Sequence, residues 1–281
     1  MRFRSSATQR IVSTLAAAAV ALSIGSTGQA GNDVKLIILK EHGVGSSAQA
    51  QPYVDKLVAI AAKKQGWSGA KGSYFTDRKA AEASIDAEKP DFAILSLPAF
   101  LAMKDARKLE TLGQVSVANG GGQQYFLISK DASDLAGCKG KKLASDHADD
   151  PRFIDKVVFA GAAKLGDFNL ELTKRPVQTI KKVVSGDVAC ALIDDAQLAE
   201  LPHVDGAAGI KQVWSSAKLP PMALVAFPGT EKAKKDGFKA SLGTLCDGEG
   251  KSVCKEIGIQ SLKAAGDDAY AQILAVYKKD K

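Results

Sequence analysis

Leu112-Gly113-Gln114-Val115-Ser116-Val117-Ala118-Asn119-Gly120-Gly121-Gly122-Gln123-Gln124-Tyr125-Phe126-Leu127-Ile128 reads as strand, break, strand. Asn119 and three consecutive glycines cannot sustain either ladder or helix, so this is the clearest linker in the chain. Upstream of it, Val34 to Leu39 is a β-branched and Leu-rich run. The loop His42-Gly43-Val44-Gly45-Ser46-Ser47 leads into a helix from Ala48 to Gln65, with Pro52 in its first turn and Gly66 as its stop. Tyr53, Leu57, Ile60 and Ala61 recur at helical spacing. Gly72 to Thr76 is a second strand, and Asp77 can cap a helix over Arg78 to Glu88. Phe92 to Leu95 is a short buried strand, and Pro98 opens another helix.

Downstream, the alternation restarts. Strands are expected at Tyr125–Ile128, Lys141–Ser145, Asn169–Leu172, Val188–Ile193, Ile210–Trp214 and Met222–Phe227. Helices are expected at Pro151–Leu165, Val177–Val184 and Ala196–Leu201, and the tail from about Glu231 reads as helical with no strand. Such alternation predicts an α/β fold with parallel-rich sheets flanked by helices. The Gly break divides it into two lobes. Residues 31–120 give the first part of lobe one, 121–228 lobe two, and 229–281 a helical part that packs back on lobe one. The crossings are expected at Gly120–Gly122 and near Pro220–Pro221.

The first thirty residues read as a cleavable signal peptide. Arg2, Arg4 and Arg10 make a basic start, Ile11 to Ile24 is apolar, and Gly28-Gln29-Ala30 offers small residues for cleavage after Ala30. The apolar run is shorter than the ~20 residues a membrane span needs. A periplasmic, unlipidated, monomeric protein is expected. Three of the seven net positive charges lie in this segment, leaving a mildly basic mature chain. There is no basic block with interleaved aromatics, so nucleic acid is excluded as a partner.

Four cysteines in an exported chain favour disulfides. Cys246 and Cys254 flank a short polar loop suited to a local staple, and Cys138 with Cys190 would pair by elimination. Four cysteines allow three connectivities, and spacing alone does not choose among them. No C-x-x-C occurs and His42, His147 and His203 are scattered, so no metal and no cofactor are expected. Nucleophile-elbow, zinc-protease and phosphate-loop motifs are absent, so the expectation is a binding module with no catalytic residues.

The segment order resembles the type II periplasmic binding proteins, and within them the phosphate/phosphite/phosphonate group that serves ABC transporters. The resemblance rests on Tyr74-Phe75-Thr76-Asp77, on Lys89-Pro90-Asp91-Phe92-Ala93-Ile94-Leu95-Ser96-Leu97-Pro98-Ala99-Phe100 and on Gln124 to Ser129. It continues through Asp134-Leu135-Ala136-Gly137-Cys138-Lys139-Gly140-Lys141-Lys142, Val183 to Asp194, and Lys218-Leu219-Pro220-Pro221. It implies a two-lobed fold with the ligand cleft between lobes, a small-molecule solute and an ABC permease as partner. One turn departs from the family pattern. Where relatives carry a hydroxyl-rich turn that grips a phosphoryl group at a helix start, this chain has Ser145-Asp146-His147-Ala148-Asp149-Asp150-Pro151. Carboxylates there repel a phosphonate and fill the anion-favouring position themselves.

In this fold the cleft is lined by loops at the carboxyl ends of strands. Gly45, Ser46 and Ser47 could hold an anion, or Ser46 could simply cap the helix. Thr76 and Ser96 end the next strands. Tyr125, Asp146, His147 and Asp194 come from lobe two. Asp194 resembles an acidic position facing the cleft in relatives and could hold an ammonium, or it could cap the helix after it. The expected solute is small and polar, anionic or zwitterionic. The alternatives are a phosphate or phosphonate carrier proper, and a sensory or binding-inactive relative.

Overall fold

The computed structural model describes residues 33–42 and 46–279. The expected signal peptide, its cleavage after Ala30, and Gly45 lie outside the described residues. Among the described residues no helix is long and apolar enough to cross a membrane.

The chain opens with β1 (Asp33–Leu39), α1 (Ser47–Gln65), β2 (Gly69–Phe75), α2 (Arg78–Glu88), β3 (Phe92–Leu95), α3 (Leu97–Met103) and β4 (Glu110–Val117). A second series follows: β5 (Tyr125–Ser129), β6 (Lys142–Ser145), α4 (Pro151–Phe153), β7 (Asn169–Leu172), α5 (Pro176–Ser185), β8 (Cys190–Asp194), α6 (Asp195–Glu200) and β9 (Lys211–Ser215). The chain then returns through β10 (Met222–Ala226), α7 (Lys232–Ser241), α8 (Gly250–Ile257), β11 (Ile259–Ala264) and α9 (Ala271–Lys278).

Two sheets result, in the orders β11-β4-β10-β3-β1-β2 and β7-β6-β8-β5-β9. Both are mixed. β1, β2 and β3 pair in parallel, as do β6, β7 and β8, while β5, β10 and β11 run antiparallel to their neighbours. Central β1 is buried on both faces. Val34, Leu36 and Ile38 point to one cluster, where Trp67, Phe92 and Phe238 stack together. Ile37 and Leu39 point to another cluster. Such two-sided burial explains the near-continuous apolar run.

Several elements differ from the sequence reading. The buried face of α1 is Val54, Leu57, Val58 and Ala61, and Tyr53 stands in solvent. β10, expected within lobe two, sits in the first sheet between β3 and β4. Its residues Ala223 to Ala226 are wholly buried, and only a central slot buries both faces of a strand. The tail also contains a strand: β11 adds to the edge of β4. Only Ile259 and Leu262 are strongly apolar in it, so alternation gave no signal. The helix expected over Pro151–Leu165 is one α turn followed by a π turn at Ile154–Val158. Positive φ at Ala160 and Gly161 ends it. Tyr270, just before α9, packs on lobe one against Phe100, and α9 packs on that π turn, so this tail touches both sheets' layers.

The chain passes between sheets through residues 118–124 and 216–221, which lie side by side. The Leu219 amide donates to the Gln123 carbonyl at 2.8 Å, and the Ser216 amide to the Tyr125 carbonyl at 2.8 Å. Asn119, Gly121 and Gly122 all have positive φ. A Cβ on Gly121 would lie 2.1 Å from Asp194 Oδ2. Gly121→Ala is therefore expected to destabilise the fold by about 1–3 kcal/mol through left-handed strain, with the clash added. Urea unfolding measures this, and a loss below ~0.5 kcal/mol would mean that the crossing does not need glycine.

Both expected disulfides are present. Cys138, in the turn before β6, meets Cys190 of β8 with Cα atoms 6.0 Å apart. Cys246 and Cys254 are 5.6 Å apart. Both separations are normal for unstrained bridges.

Candidate functional site

The carboxyl ends of β1, β3, β6 and β8 converge where the chain crosses between sheets. β1 runs into Lys40, Glu41 and His42. The end of β3 presents Ser96, β6 runs into Asp146 and His147, and β8 ends at Asp194. A cavity of ≈ 40 Å³ is enclosed there, with the two crossing segments as its walls and Tyr125 among its lining. At His42 it meets a wider groove of ≈ 1070 Å³ bordered by Thr76, Asn119, Arg175 and His203.

Glu41 is the deepest charge contributed by lobe one, with its side chain 4% exposed. Arg78 grips it with both arms, Nε to Oε1 at 2.6 Å and Nη2 to Oε2 at 3.1 Å. Ser96 Oγ donates to the same carboxylate at 2.9 Å. Arg78 also reaches lobe two, with Nη1 3.0 Å from Asp150 Oδ2. Burial alone would lower the pKa of this guanidinium, but Glu41 and Asp150 outweigh it and push it up.

Lobe two supplies a buried polar network. Gln197, on α6, organises it. Its Nε2 donates to Asp146 Oδ1 at 3.0 Å and to the Pro176 carbonyl at 3.3 Å. Its Oε1 accepts from the Asp194 amide at 3.0 Å and lies 2.6 Å from His147 Nε2. An amide oxygen only accepts, so His147 carries its proton on Nε2 and a lone pair on Nδ1. Thr179 Oγ1 donates to Asp146 Oδ1 at 2.7 Å. Among the described residues, two buried atoms of this network have no hydrogen-bond partner, Asp146 Oδ2 and His147 Nδ1. Both are acceptors. A buried acceptor without a donor costs about 1–3 kcal/mol, and more when charged.

His42 closes the arrangement from lobe one. Its ring packs edge-on against His147, centroids 4.8 Å apart, and Tyr125 packs on the other side of His147 at 5.2 Å. His42 Nε2 lies 3.2 Å from Asp149 Oδ1 of lobe two. Burial works against the imidazolium, yet Asp149, Glu41 and Asp146 raise the pKa of His42 above its ordinary value. The backbone of His42 is left-handed, φ 58, a strained state for a non-glycine residue. Asp194 caps α6 through the Gln197 amide at 2.9 Å, and its other oxygen lies 3.9 Å from His147 Nε2. Burial pushes the Asp194 pKa up, partly offset by His147 and the Gln197 amide. Lys40 is lowered by burial and supported by the charges of Asp194 and Asp195.

Of the residues singled out in the sequence, Ser96, Tyr125, His147 and Asp194 line the cavity, and buried Asp146, next to His147 in the chain, is not among its lining. Thr76 borders the wider groove. Ser46 and Ser47 are exposed, and Ser46 caps α1 through the Gln49 amide. The histidines that look scattered in sequence are not all apart, since the fold brings His42 onto His147. Sequence reasoning passed over Lys40, Glu41, Arg78 and Gln197. The position of Lys40-Glu41-His42 just past a strand's carboxyl end was the available signal. For Gln197 the available signal was the capping-box spacing Asp194-x-x-Gln197; its bonds to Asp146, His147 and Pro176 depend on partners distant in sequence.

Residues 46–270 match the family described as ABC transporter, phosphonate, periplasmic substrate-binding protein. None of the curated proteins compared with the chain matches it. Among solved structures, a binding protein component of an ABC phosphonate transporter from Pseudomonas aeruginosa is 18% identical, with 87% of this chain and 85% of that one aligned and a TM-score of 0.64. A Xanthomonas citri protein bound to chloride ion is 11% identical over 88% of this chain and 97% of that one, TM-score 0.68. PhnD1 from Prochlorococcus marinus, in complex with methylphosphonate, is 11% identical over 87% and 97%, TM-score 0.61. At such identities the structural likenesses establish the fold, two α/β lobes of the type II binding-protein kind. The family match covers most of the sequence, and with it the chain belongs to the phosphonate-type periplasmic substrate-binding proteins of ABC transporters.

Proposed function

We propose that this protein works in the periplasm as a monomer. It captures a small polar solute through a positively charged group, as in an amine or zwitterion, and presents it to an ABC permease. The charge inventory of the cleft carries this reading. Glu41, Asp146, Asp149, Asp150 and Asp194 gather there against Lys40, Arg78 and His42. The donors that would greet a phosphonate are already engaged. Ser96 serves Glu41, Arg78 serves Glu41 and Asp150, and Asp150 itself caps the helix start by accepting from the Phe153 amide at 3.0 Å. A dianion placed beside these acids meets like charge in a poorly solvated site. A cation there relieves Asp194 and Asp146, while Lys40 can receive a carboxylate.

The test is isothermal titration of the mature, EDTA-treated protein with amino acids, polyamines, betaines, phosphate and methylphosphonate. An amine-bearing solute is expected to bind, and Asp194→Asn to weaken it by about 10- to 100-fold, the worth of a hydrogen bond to a charged group. Micromolar binding of methylphosphonate would sink this reading and make the protein an ordinary phosphonate carrier. The small cavity favours one further reading, a sensory relative whose cleft is filled by its own side chains. A screen without any ligand supports that instead.

A further inference from the structure

The geometry points to a divalent transition-metal site that bridges the two lobes at His42, Asp146 and His147. It rests on the reading that this cleft receives positive charge. The three residues each offer one ligand atom, and these atoms lie within 4.8 Å of one another. Metal bonds of about 2.0–2.2 Å place ligand atoms about 3.4 Å apart in a tetrahedral site, so a contraction of roughly an ångström completes the geometry.

Three independent observations support it. Asp146 is 6% exposed and His147 5% exposed, and each keeps one buried acceptor atom without a donor among the described residues, Oδ2 and Nδ1. A cation within reach of both would satisfy them. Each histidine also has its Nε2 committed, His147 to the Gln197 amide oxygen at 2.6 Å and His42 to the Asp149 carboxylate at 3.2 Å. Ligating histidines are normally held in this way, with the far ring nitrogen donating to a carbonyl or carboxylate so that the near one carries the lone pair. Finally, the ≈ 40 Å³ cavity suits an ion with a water or two and is far below the ~300 Å³ typical of organic ligands. Two imidazoles and one carboxylate suit Zn²⁺, Ni²⁺, Cu²⁺ or Co²⁺ over Mg²⁺ or Ca²⁺. His42 comes from the end of β1 and the other two from the end of β6, so the ion would hold the lobes together.

The experiment uses tag-free, EDTA-stripped protein titrated with ZnCl₂, NiCl₂ and CaCl₂, with bound metal counted by mass spectrometry. One zinc or nickel per chain is expected, with no calcium. His42→Gln and His147→Gln are expected to weaken it by at least about 100-fold, and His203→Gln, at an exposed histidine, to leave it unchanged. Electron paramagnetic resonance of the Cu²⁺-loaded wild type gives a readout independent of variant folding, with two imidazole nitrogens expected at the copper. Absence of stoichiometric metal, loss of binding only in His203→Gln, or copper without nitrogen ligands would each overturn the site. An amine that binds the stripped protein while metals do not would refute the metal site and leave the solute-binding reading standing.

Discussion

Arg78→Met is expected to cost about 3–5 kcal/mol of stability, the usual result of stripping one partner from a buried ion pair. Among the described residues, Glu41 would keep the Ser96 hydroxyl as its one side-chain partner for a carboxylate that is 4% exposed. Asp150, 11% exposed, would lose its link to lobe one. The closed arrangement of lobes should suffer most, because Arg78 on α2 is one of the few groups that bonds both sides of the cleft. Urea unfolding gives the magnitude, and small-angle scattering gives the lobe opening. Glu41→Gln in the same chain removes the orphaned charge, so the double variant should recover most of the loss. The coupling in that cycle isolates the pair. A loss under ~1 kcal/mol in the single variant, with no recovery in the double, would show that Glu41 reaches solvent by another route.

The two disulfides should differ in their worth. Cys138 and Cys190 close 52 residues of chain, and Cys246 and Cys254 close 8. By loop entropy, the first contributes about 4 kcal/mol and the second about 2.5 kcal/mol. The first also ties the turn before β6 to β8, and that pair of strands carries Asp146, His147 and Asp194. Replacing Cys138 and Cys190 by Ala should therefore lower the melting temperature more than replacing Cys246 and Cys254, and should loosen the cleft. Both cysteines of the long bridge are wholly buried, so mild reductant should open the short bridge first. Equal melting temperatures for the two double variants would refute the ranking.

The two-lobed α/β architecture was legible from particular signals. Gly120-Gly121-Gly122 interrupts the strand–helix rhythm, and the positive φ values of Gly121 and Gly122 suit glycine. The continuous apolar runs at β1 and β3 announce strands buried on both faces. Gly66 marks the end of α1 by adopting the left-handed cap, φ 65. Asp77 caps α2 by accepting from the Ala80 amide at 2.7 Å. Each of these is a local matter, settled within a few residues by dihedral preference or capping chemistry. The short polar loop between Cys246 and Cys254 also pointed to that pair, leaving Cys138 and Cys190 by elimination.

What only the tertiary structure decided has a common cause, namely competition for partners far apart in sequence. β10 follows lobe two in the chain, yet its apolar faces are buried only between β3 and β4, so long-range packing places it. β11 carries little apolar pattern and exists because the edge of β4 offers free backbone groups. The candidate site is the strongest case. Local sequence reads Asp146, Asp149 and Asp150 simply as three acids at a helix start. In the fold they separate into an inward ligand held by Gln197, a partner for His42, and a partner for Arg78. Sequence determined that this turn is rich in carboxylate. Which of those carboxylates meets which cation was set by the approach of the two lobes, because a buried charge takes its energy from whatever lies within a few ångströms of it.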